Sequence, residues 1–372
     1  FEAFKEEPGF SAIVDIATLK ANGYNLNIRR YADNAPPPEP HDVRAHLVGG
    51  VPKAEVSHPA KKALFDAHGL NPMDIFVERD GTYYDFKPSF TAKTELKPAI
   101  ESNAGLQAKE EAIRAAFEAW WTAHSQRITD LAGAQSFVAL RNELLASFSG
   151  SLEQIGLLDP FQVRGIVAGF WNQSKYDFLT LMARGSHGVV DAWRTSIVTA
   201  LEDKTTKESP LEHKLVKFLM GSFVTELEEL EGKKLELEGQ IKAATPEKSE
   251  EGDETADEED AGQENAVDEK QIKAWKKELT ALKKVIKAKN DSLTLELNKS
   301  VTGLDADGAG QLLLTILHAD MQRIVEGYVT GQRKLIVSAF ETWWDKYKVT
   351  LTEIERDRDA AASQLQQFLK GL

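Results

Sequence analysis

The stretch Gly308-Ala309-Gly310 is the part of this chain closest in residue type to a phosphate-binding loop. Such loops place glycines at a turn between a strand and a helix, where backbone N–H groups can approach an anion. Leu313 stands where a dinucleotide loop needs its third glycine, and no strand is expected before Gly308. Asp305 and Asp307 are spaced like the start of a calcium loop, but Ile316 occupies the position of the bidentate glutamate. We therefore predict a turn at the start of a helix, with neither a cofactor loop nor a calcium site.

No other group of reactive side chains has the spacing of a catalytic or metal site. The chain has no cysteine, which excludes disulfides, thiolate nucleophiles and cysteine-ligated zinc. Its eight histidines are scattered, with His41 and His46 as the close pair, and no HExxH motif occurs. Ser186 lies in a Gly-Ser-His-Gly sequence that lacks the GxSxG spacing of a nucleophile elbow. We predict surface or core roles for the histidines, and the absence of cysteine fits a reducing, cytoplasmic setting.

Basic residues are the remaining candidates, as contacts to nucleic acid. Residues 270–289 contain eight lysines and one acid, Glu278. Lysines on the outer faces of a helix can contact phosphates as positioning charges, but the run also fits a solvated helix attracted to the acidic stretch before it. Two arginines near the N-terminus either contact DNA or have a structural role in a sheet. The candidate DNA contacts are Arg29, Arg30, Lys276, Lys277, Lys283 and Lys284.

The net charge of −14 comes mostly from one stretch. Residues 247–269 carry twelve acids and one lysine, and the rest of the chain, with 44 basic and 47 acidic residues, is nearly neutral. The acidic total therefore does not exclude a nucleic-acid partner. Residues 243–269 have almost no large apolar side chains to offset the entropy of ordering, so we predict that they are disordered. No apolar run approaches the roughly 18 residues of a membrane span, and we expect no membrane contact.

Residues 1–98 are expected to form a small α/β portion. Tyr24, Leu26 and Ile28 alternate with polar residues, which is the period of two of a half-buried strand. Pro36-Pro37-Pro38-Glu39-Pro40 predicts an extended linker, because proline disfavours helix at its own position and the one before. Asp80-Gly81 lies between β-prone runs and predicts a hairpin in which both turn residues have positive φ.

The rest of the chain has helical patterns, so the predicted fold is mainly α with a small N-terminal α/β portion. Residues 99–242 are expected to form a helical domain ending in a long heptad helix, and residues 270–372 a C-terminal long-helix region. Asp159-Pro160 predicts a helix start with Asp159 as N-cap. Two seams predict a helical bundle with an antiparallel coiled-coil hairpin whose tip is the acidic insert. Their residues are Phe223, Leu227, Leu230, Lys234, Leu237 and Ile241, then Ile272, Trp275, Leu279, Leu282 and Ile286.

One five-residue pattern occurs twice in the helical part. Phe117-Glu118-Ala119-Trp120-Trp121 matches Phe340-Glu341-Thr342-Trp343-Trp344, and an isoleucine lies four residues before each phenylalanine. A shared ancestor of two helical units and convergent use of aromatic anchors both fit, because the flanking sequences diverge.

Residues 23–56, which read GYNLNIRRYADNAPPPEPHDVRAHLVGGVPKAEV, resemble a segment of type I restriction–modification methyltransferase subunits. In that family a strand of the form YNLNxxRY lies at the end of the catalytic domain, and many relatives have proline where this chain has Arg29. Looser similarities lie downstream, at Leu157-Leu158-Asp159-Pro160 and Gly169-Phe170-Trp171-Asn172. The chain is thus similar to the C-terminal part of an adenine-specific modification subunit, and residues 1–98 to the tail of its catalytic domain.

The resemblance implies an enzyme whose chemistry lies outside this chain. Family members transfer a methyl group from S-adenosylmethionine to the exocyclic amine of a flipped adenine, using a Gly-rich cofactor loop and an Asn/Asp-Pro-Pro-aromatic motif. Asn71-Pro72-Met73-Asp74 lacks the second proline and the aromatic residue, so it is expected to start a turn. No catalytic, cofactor-binding or metal-binding residue is carried over, and the isolated chain should not bind S-adenosylmethionine.

The resemblance further implies assembly with other subunits. In the family the C-terminal helical region pairs with coiled-coil spacers of a DNA-specificity subunit and helps to close the complex around double-stranded DNA, and a restriction subunit can join. Two alternatives stay open, namely that each seam packs only within this chain, and that the protein is a non-enzymatic helical coiled-coil scaffold. The candidate subunit-interface residues are Leu227, Leu230, Trp275, Leu279, Trp343 and Trp344.

One hypothesis is that the acidic stretch competes weakly with DNA for the basic surface of this chain. Deleting residues 247–269 removes a charge of −11, twelve acids less one lysine, so the variant should bind a DNA duplex more tightly at low salt. The gain should shrink as added salt screens the charges. Fluorescence anisotropy with a labelled duplex measures both affinities, and an unchanged affinity at low salt would rule the competition out.

Overall fold

The computed structural model describes residues 5–6, 11–32, 42–132, 136–202, 209–244 and 269–370. Within them the fold is mainly α with a small antiparallel sheet near the N-terminus, as the sequence predicts. No helix among these residues combines the length and apolar character that crossing a bilayer requires. The strands are β1 (Val51–Pro52), β2 (Phe76–Glu78) and β3 (Tyr83–Phe86). The helices are α1 (Ile16–Ala21), α2 (Val43–Val48), α3 (Lys53–Val56), α4 (Pro59–His68), α5 (Leu96–Glu101), α6 (Ala104–His124), α7 (Gln126–Thr129), α8 (Phe137–Leu152), α9 (Pro160–Glu202), α10 (Lys214–Leu219), α11 (Gly221–Ala244), α12 (Glu269–Thr302), α13 (Ala306–Tyr347) and α14 (Leu351–Lys370).

The chain forms two compact units. Unit 1 comprises Phe1–Leu106 together with Leu335–Leu372, and unit 2 comprises Gln107–Lys334. The two ends of the sequence therefore share one unit. A division of the chain into consecutive segments cannot place the first hundred residues and the last 38 residues in the same unit.

A β-hairpin provides the sheet of unit 1. Strands β2 and β3 pair antiparallel, and β1 adds to the other edge of β3, which confirms the predicted hairpin. The predicted turn geometry is wrong, because neither Asp80 nor Gly81 has positive φ. Instead, Asp80 Oδ1 accepts hydrogen bonds from the backbone N–H groups of Thr82 and Tyr83 at 2.7 and 2.9 Å. The side-chain carboxylate thus replaces the special backbone conformation of a two-residue turn.

Residues 24–28 do not form the strand that their alternation predicts. They follow α1 and lead into a short 3-10 helix at Ile28–Arg30. Asn27 Oδ1 accepts a hydrogen bond from the backbone N–H of Arg29 at 3.2 Å and caps this turn. A strand needs a neighbouring strand for its backbone groups, and the described residues supply none here. Local bonds from side chain to backbone therefore set the conformation.

The core of unit 1 packs the second aromatic repeat against the sheet. Ile336, Phe340, Trp343 and Trp344 lie on one face of α13 and are all buried. The rings of Phe340 and Trp343 lie 5.3 and 5.7 Å from the ring of Phe76 on β2. These contacts fix the last turns of α13 to the hairpin.

A buried carboxylate reinforces this attachment. Glu55 on α3 is 6% exposed and accepts a hydrogen bond from Trp343 Nε1 at 2.8 Å. The hydroxyl of Tyr347 donates to its other oxygen. Burying a carboxylate without hydrogen-bond donors costs several kcal/mol of folding free energy. The burial of Glu55 therefore requires both of these donors.

The first aromatic repeat is likewise buried, in the helical core of unit 2. Ile113, Phe117, Trp120 and Trp121 on α6 are buried in its core. Trp120 Nε1 donates a hydrogen bond to Ser147 Oγ on α8 at 2.9 Å, which satisfies the polar edge of the ring. Both copies of the repeat thus bury the same four positions, each in its own unit.

Helix α9 begins where the sequence predicts. Asp159 Oδ1 accepts from the backbone N–H of Gln162 at 2.8 Å, and Gln162 Oε1 accepts from that of Asp159 at 3.0 Å. This reciprocal pair satisfies two amides at the helix start, with Pro160 in the first turn. Gly185, at φ 70°, interrupts the helical conformation within α9.

A network of buried and half-buried polar groups joins three helices of unit 2. Asp177 on α9 accepts hydrogen bonds from Trp193 Nε1 at 2.7 Å and from Lys214 Nζ at 2.6 Å. The same ammonium lies 3.5 Å from a carboxylate oxygen of Asp320 on α13 and 4.4 Å from the centre of the Trp193 ring. Lys214 thus lies between two acids, Asp320 is also paired with Arg323, and α10 is attached to both long helices.

The antiparallel hairpin is confirmed by α11 and α12. Lys289 pairs with Glu226 near the start of α11, whereas Lys283 pairs with Glu238 nearer its end, so the two helices run in opposite directions. All eleven predicted seam residues are buried or half-buried. Residues 245–268 of the predicted disordered insert lie outside the described residues, as does the proline-rich stretch at 36–40.

We expect Phe117→Ala to lower the free energy of unfolding by about 3–5 kcal/mol, because it empties a fully buried aromatic site in the core of unit 2. Phe161→Ala is the matched control, since that ring is 82% exposed and its loss should change stability by about 0.5 kcal/mol or less. Urea denaturation followed by circular dichroism measures both. Equal effects of the two substitutions would contradict the assignment of the core.

Candidate interaction surfaces

The lysines of α12 form a stripe along one side of the hairpin. Each follows a seam residue by one or two positions, so the lysines share a face next to the seam. From Lys273 to Lys287 this face extends about 21 Å along the helix axis at 1.5 Å per residue. We call this the lysine stripe, and its exposed members are Lys273, Lys276, Lys277, Lys283, Lys284 and Lys287.

The members of the lysine stripe differ in their partners. Lys283 Nζ lies 2.8 Å from Glu238 Oε1, and this hydrogen bond lowers the pKa of Glu238. Within the described part of the chain, Lys276, Lys277 and Lys284 form no ion pair. Of the four lysines predicted as DNA contacts, three therefore present unpaired ammonium groups to solvent and one is engaged within the hairpin.

The predicted interface residues of the hairpin face the opposite helix. Leu227 is 1% exposed, and Leu230, Trp275 and Leu279 are half-buried. Their packing within the chain accounts for their apolar character. A partner at this place would contact their partly exposed edges.

Trp343 and Trp344 serve the core of unit 1. They are 2% and 6% exposed, and the ring of Trp344 lies 4.9 Å from that of Phe86 in an edge-on arrangement. Their predicted place at a subunit surface is not where the structure puts them, because the sheet and Glu55 already occupy their contact faces. The sequence did contain a signal for this burial. Both copies of the aromatic repeat place an isoleucine, a phenylalanine and two tryptophans at the spacing of one buried helix face.

Arg29 and Arg30 are exposed and do not lie on a strand. Arg30 Nη1 donates a hydrogen bond to Asn22 Oδ1 at 3.4 Å. Their neighbours Tyr24, Leu26 and Ile28 are 61%, 74% and 71% exposed. The segment thus presents three large apolar side chains and two guanidinium groups at the surface of unit 1.

Two open cavities lie in unit 1. A cavity of about 340 Å³ borders Arg79, whose Nη1 donates to the Gly49 carbonyl at 2.7 Å and whose Nε donates to Asp85 at 2.8 Å. Gly50 has φ 99°, and a Cβ there would lie 2.8 Å from Arg79 Nη1, so only glycine fits. A second cavity, of about 590 Å³, borders Asn71, whose side chain caps the predicted turn by accepting from the N–H of Met73 at 3.0 Å. The polar groups of Arg79 and Asn71 at these cavities therefore form hydrogen bonds that stabilise turns of the chain.

Helix α14 is a surface that the sequence analysis did not identify. Its residues 351–369 are all exposed, including Leu351, Ile354, Leu365 and Phe368. Together with Arg358 and Ala361, these side chains recur at alternating steps of three and four residues, which is the sequence signal for one helix face. The helix starts with a reciprocal cap, in which Glu353 Oε2 accepts from the Thr350 N–H and the Thr350 hydroxyl accepts from the Glu353 N–H, both at 3.1 Å.

The described residues contain no group of three His, Asp or Glu side chains that could hold a metal ion. A scan against protein-family profiles, a search of curated proteins and a search of solved structures each found no match to this chain.

The cap predicts a pH dependence for α14. Hydrogen bonds from the backbone N–H and the hydroxyl of Thr350 lower the pKa of Glu353 from its ordinary 4.5. A lowered pKa stabilises the folded helix above the unfolded value and loses that contribution as the pH falls through the folded value. Glu353→Ala should therefore accelerate hydrogen exchange in residues 351–370 at pH 7, and the difference from wild type should close in acid.

Glu355→Ala is the control for this experiment, since Glu355 is an exposed acid of the same helix outside the cap. Exchange rates are measured by mass spectrometry and divided by the intrinsic rate at each pH. Equal acceleration by both substitutions would show that charge, and not the cap, stabilises α14.

Proposed function

We propose that this chain is the C-terminal assembly and DNA-clamping portion of a type I restriction–modification adenine-N6 DNA methyltransferase subunit. It binds a specificity subunit and double-stranded DNA, a restriction subunit can join, and the complex acts in the cytoplasm. S-adenosylmethionine binding and methyl transfer belong to catalytic residues of the complete enzyme, because this chain lacks both motifs.

The observation that carries the proposal is the exposed apolar segment at Tyr24, Leu26 and Ile28. It coincides with the specific part of the family resemblance, and its side chains are more than half exposed. Tyr24 also has φ 55°, a left-handed conformation that costs a bulky residue about 1–2 kcal/mol. Addition of this segment as a strand to the sheet of a catalytic domain would bury the three side chains and relieve the strain.

The lysine stripe supports the DNA-binding part of the proposal. Lysine ammonium groups act as point charges that neutralise phosphates without reading the base sequence. Lys276, Lys277 and Lys284 are exposed and unpaired within the described residues, so no internal ion pair has to break before they contact DNA. Sequence reading is left to the specificity subunit, as in the family.

A non-enzymatic helical scaffold is the alternative, and the internal packing of the hairpin seams favours it. Because α11 and α12 bury their apolar faces against each other, they need no outside partner for stability. A scaffold has no requirement for an exposed apolar segment at Tyr24, Leu26 and Ile28 or for unpaired lysines. DNA binding through the lysine stripe therefore separates the two functions.

We expect the triple variant Lys276→Ala, Lys277→Ala and Lys284→Ala to bind duplex DNA at least about tenfold more weakly at 50 mM salt than wild type. The slope of log affinity against log salt should fall by about 2–3, since each lost phosphate contact contributes about 0.9. Fluorescence anisotropy over a salt series measures both quantities.

The matched control replaces three exposed lysines of unit 2 that lie outside the lysine stripe, Lys175, Lys217 and Lys299, with alanine. It removes the same charge and should leave most of the affinity. Equal losses in the two triple variants, or no binding by wild type, would favour the scaffold function.

A further inference from the structure

The apolar seam of α14 has the spacing of a two-helix coiled coil. Its residues step by three and four positions, which alternates the a and d positions of a heptad. The neighbouring α2 contacts the other side of α14, where Thr352 donates a hydrogen bond to the Leu47 carbonyl at 2.9 Å. The seam itself is exposed along its whole length. Its residues are Leu351, Ile354, Arg358, Ala361, Leu365 and Phe368.

This seam is complementary to itself when the second helix is reversed. In an antiparallel pair, the a positions of one helix lie opposite the d positions of the other. In one register, every seam residue of one helix lies opposite a seam residue of the other helix. Because the pair is two-fold symmetric, each of these contacts occurs twice. The pairs are Leu351 with Phe368, Ile354 with Leu365, and Arg358 with Ala361. Large apolar side chains meet at both ends, and the long arginine meets the smallest side chain at the centre.

A parallel pair of the same helices lacks this complementarity. It would place Arg358 opposite Arg358 of the second copy, which brings two like charges together. It would also place Ala361 opposite Ala361, where two small side chains leave a gap. In the antiparallel pair the aliphatic part of Arg358 covers Ala361 and its guanidinium reaches solvent.

We propose that α14 is a dimerisation helix, which pairs antiparallel with α14 of a second copy of this chain about a two-fold axis near residues 359–360. Self-complementary pairing of one surface about a two-fold axis is the commonest arrangement among soluble oligomers. The pairing uses neither the lysine stripe nor the segment at Tyr24, so it stands or falls independently of the proposed function.

The first test is the mass of the full chain in solution. Sedimentation equilibrium should give a mass that rises with concentration toward twice the 41.3 kDa of one chain. Ile354→Asp combined with Leu365→Asp buries charge in the seam and should weaken the dimer by about 100-fold or more. Gln366→Asp combined with Gln367→Asp adds the same charge off the seam and should leave the dimer intact.

The far-UV circular dichroism of both variants should match wild type, because α14 is exposed in the single chain. A wild-type chain that stays monomeric at all concentrations would overturn the proposal. Equal weakening by the seam and off-seam substitutions would overturn it as well.

The second test reports the direction of pairing. Because the chain has no cysteine, single cysteines at Ile354→Cys and Leu365→Cys are unambiguous probes. When the two variants are mixed and oxidised, the antiparallel register brings the new thiols opposite each other and should give a disulfide-linked heterodimer. Cross-linking of each variant only to itself would indicate a parallel pair and contradict the proposal.

Discussion

Unit 1 depends on the two hydrogen bonds that a buried carboxylate accepts. Glu55 on α3 receives one from Trp343 and one from Tyr347, which lie 288 and 292 residues further along the chain. Apolar packing is not directional, so it allows α13 to slide or rotate on the sheet. A buried carboxylate tolerates no such freedom, since both oxygens must keep their donors. These bonds therefore set the register in which the aromatic face of α13 meets the hairpin.

Other features of unit 1 follow from that register. With Tyr347 fixed, its ring packs 5.1 Å from that of His46, and its carbonyl approaches Gly49 so closely that a Cβ there would lie 3.1 Å away. Thr350 then starts α14 beside α2, which leaves the seam of α14 in solvent. The hydrogen bonds to Glu55 thus influence which face of α14 stays exposed to solvent.

Unit 2 separates its charges along the hairpin. Helix α11 has six glutamates and three lysines, and α12 has nine lysines and four acids. The ion pairs of Glu226 and Glu238 use two of these lysines and favour the antiparallel direction. The remaining lysines stay at the surface because the seam of α12 packs against α11 and leaves the lysine-bearing face of α12 in water. Stability and a basic surface are therefore produced by one heptad pattern.

Local patterns in the sequence determined the helices, the hairpin of α11 and α12, the cap at Asp159 and the existence of the β-hairpin. Each depends on residues a few positions apart, where periodicity and capping act directly. The alternation at Tyr24, Leu26 and Ile28 gave the wrong structure, because a strand also requires a neighbour that the described residues do not supply. The turn at Asp80 differed because a carboxylate can replace positive φ.

Only the tertiary structure decided which surfaces are free. The heptad and aromatic patterns identify apolar helix faces. The same patterns occur on a face that packs within the chain and on a face that stays exposed to solvent. Trp343 is buried because Glu55 lies opposite it, and Phe368 is exposed because nothing in the described chain does. That distinction depends on contacts between residues hundreds of positions apart, and no local spacing encodes it.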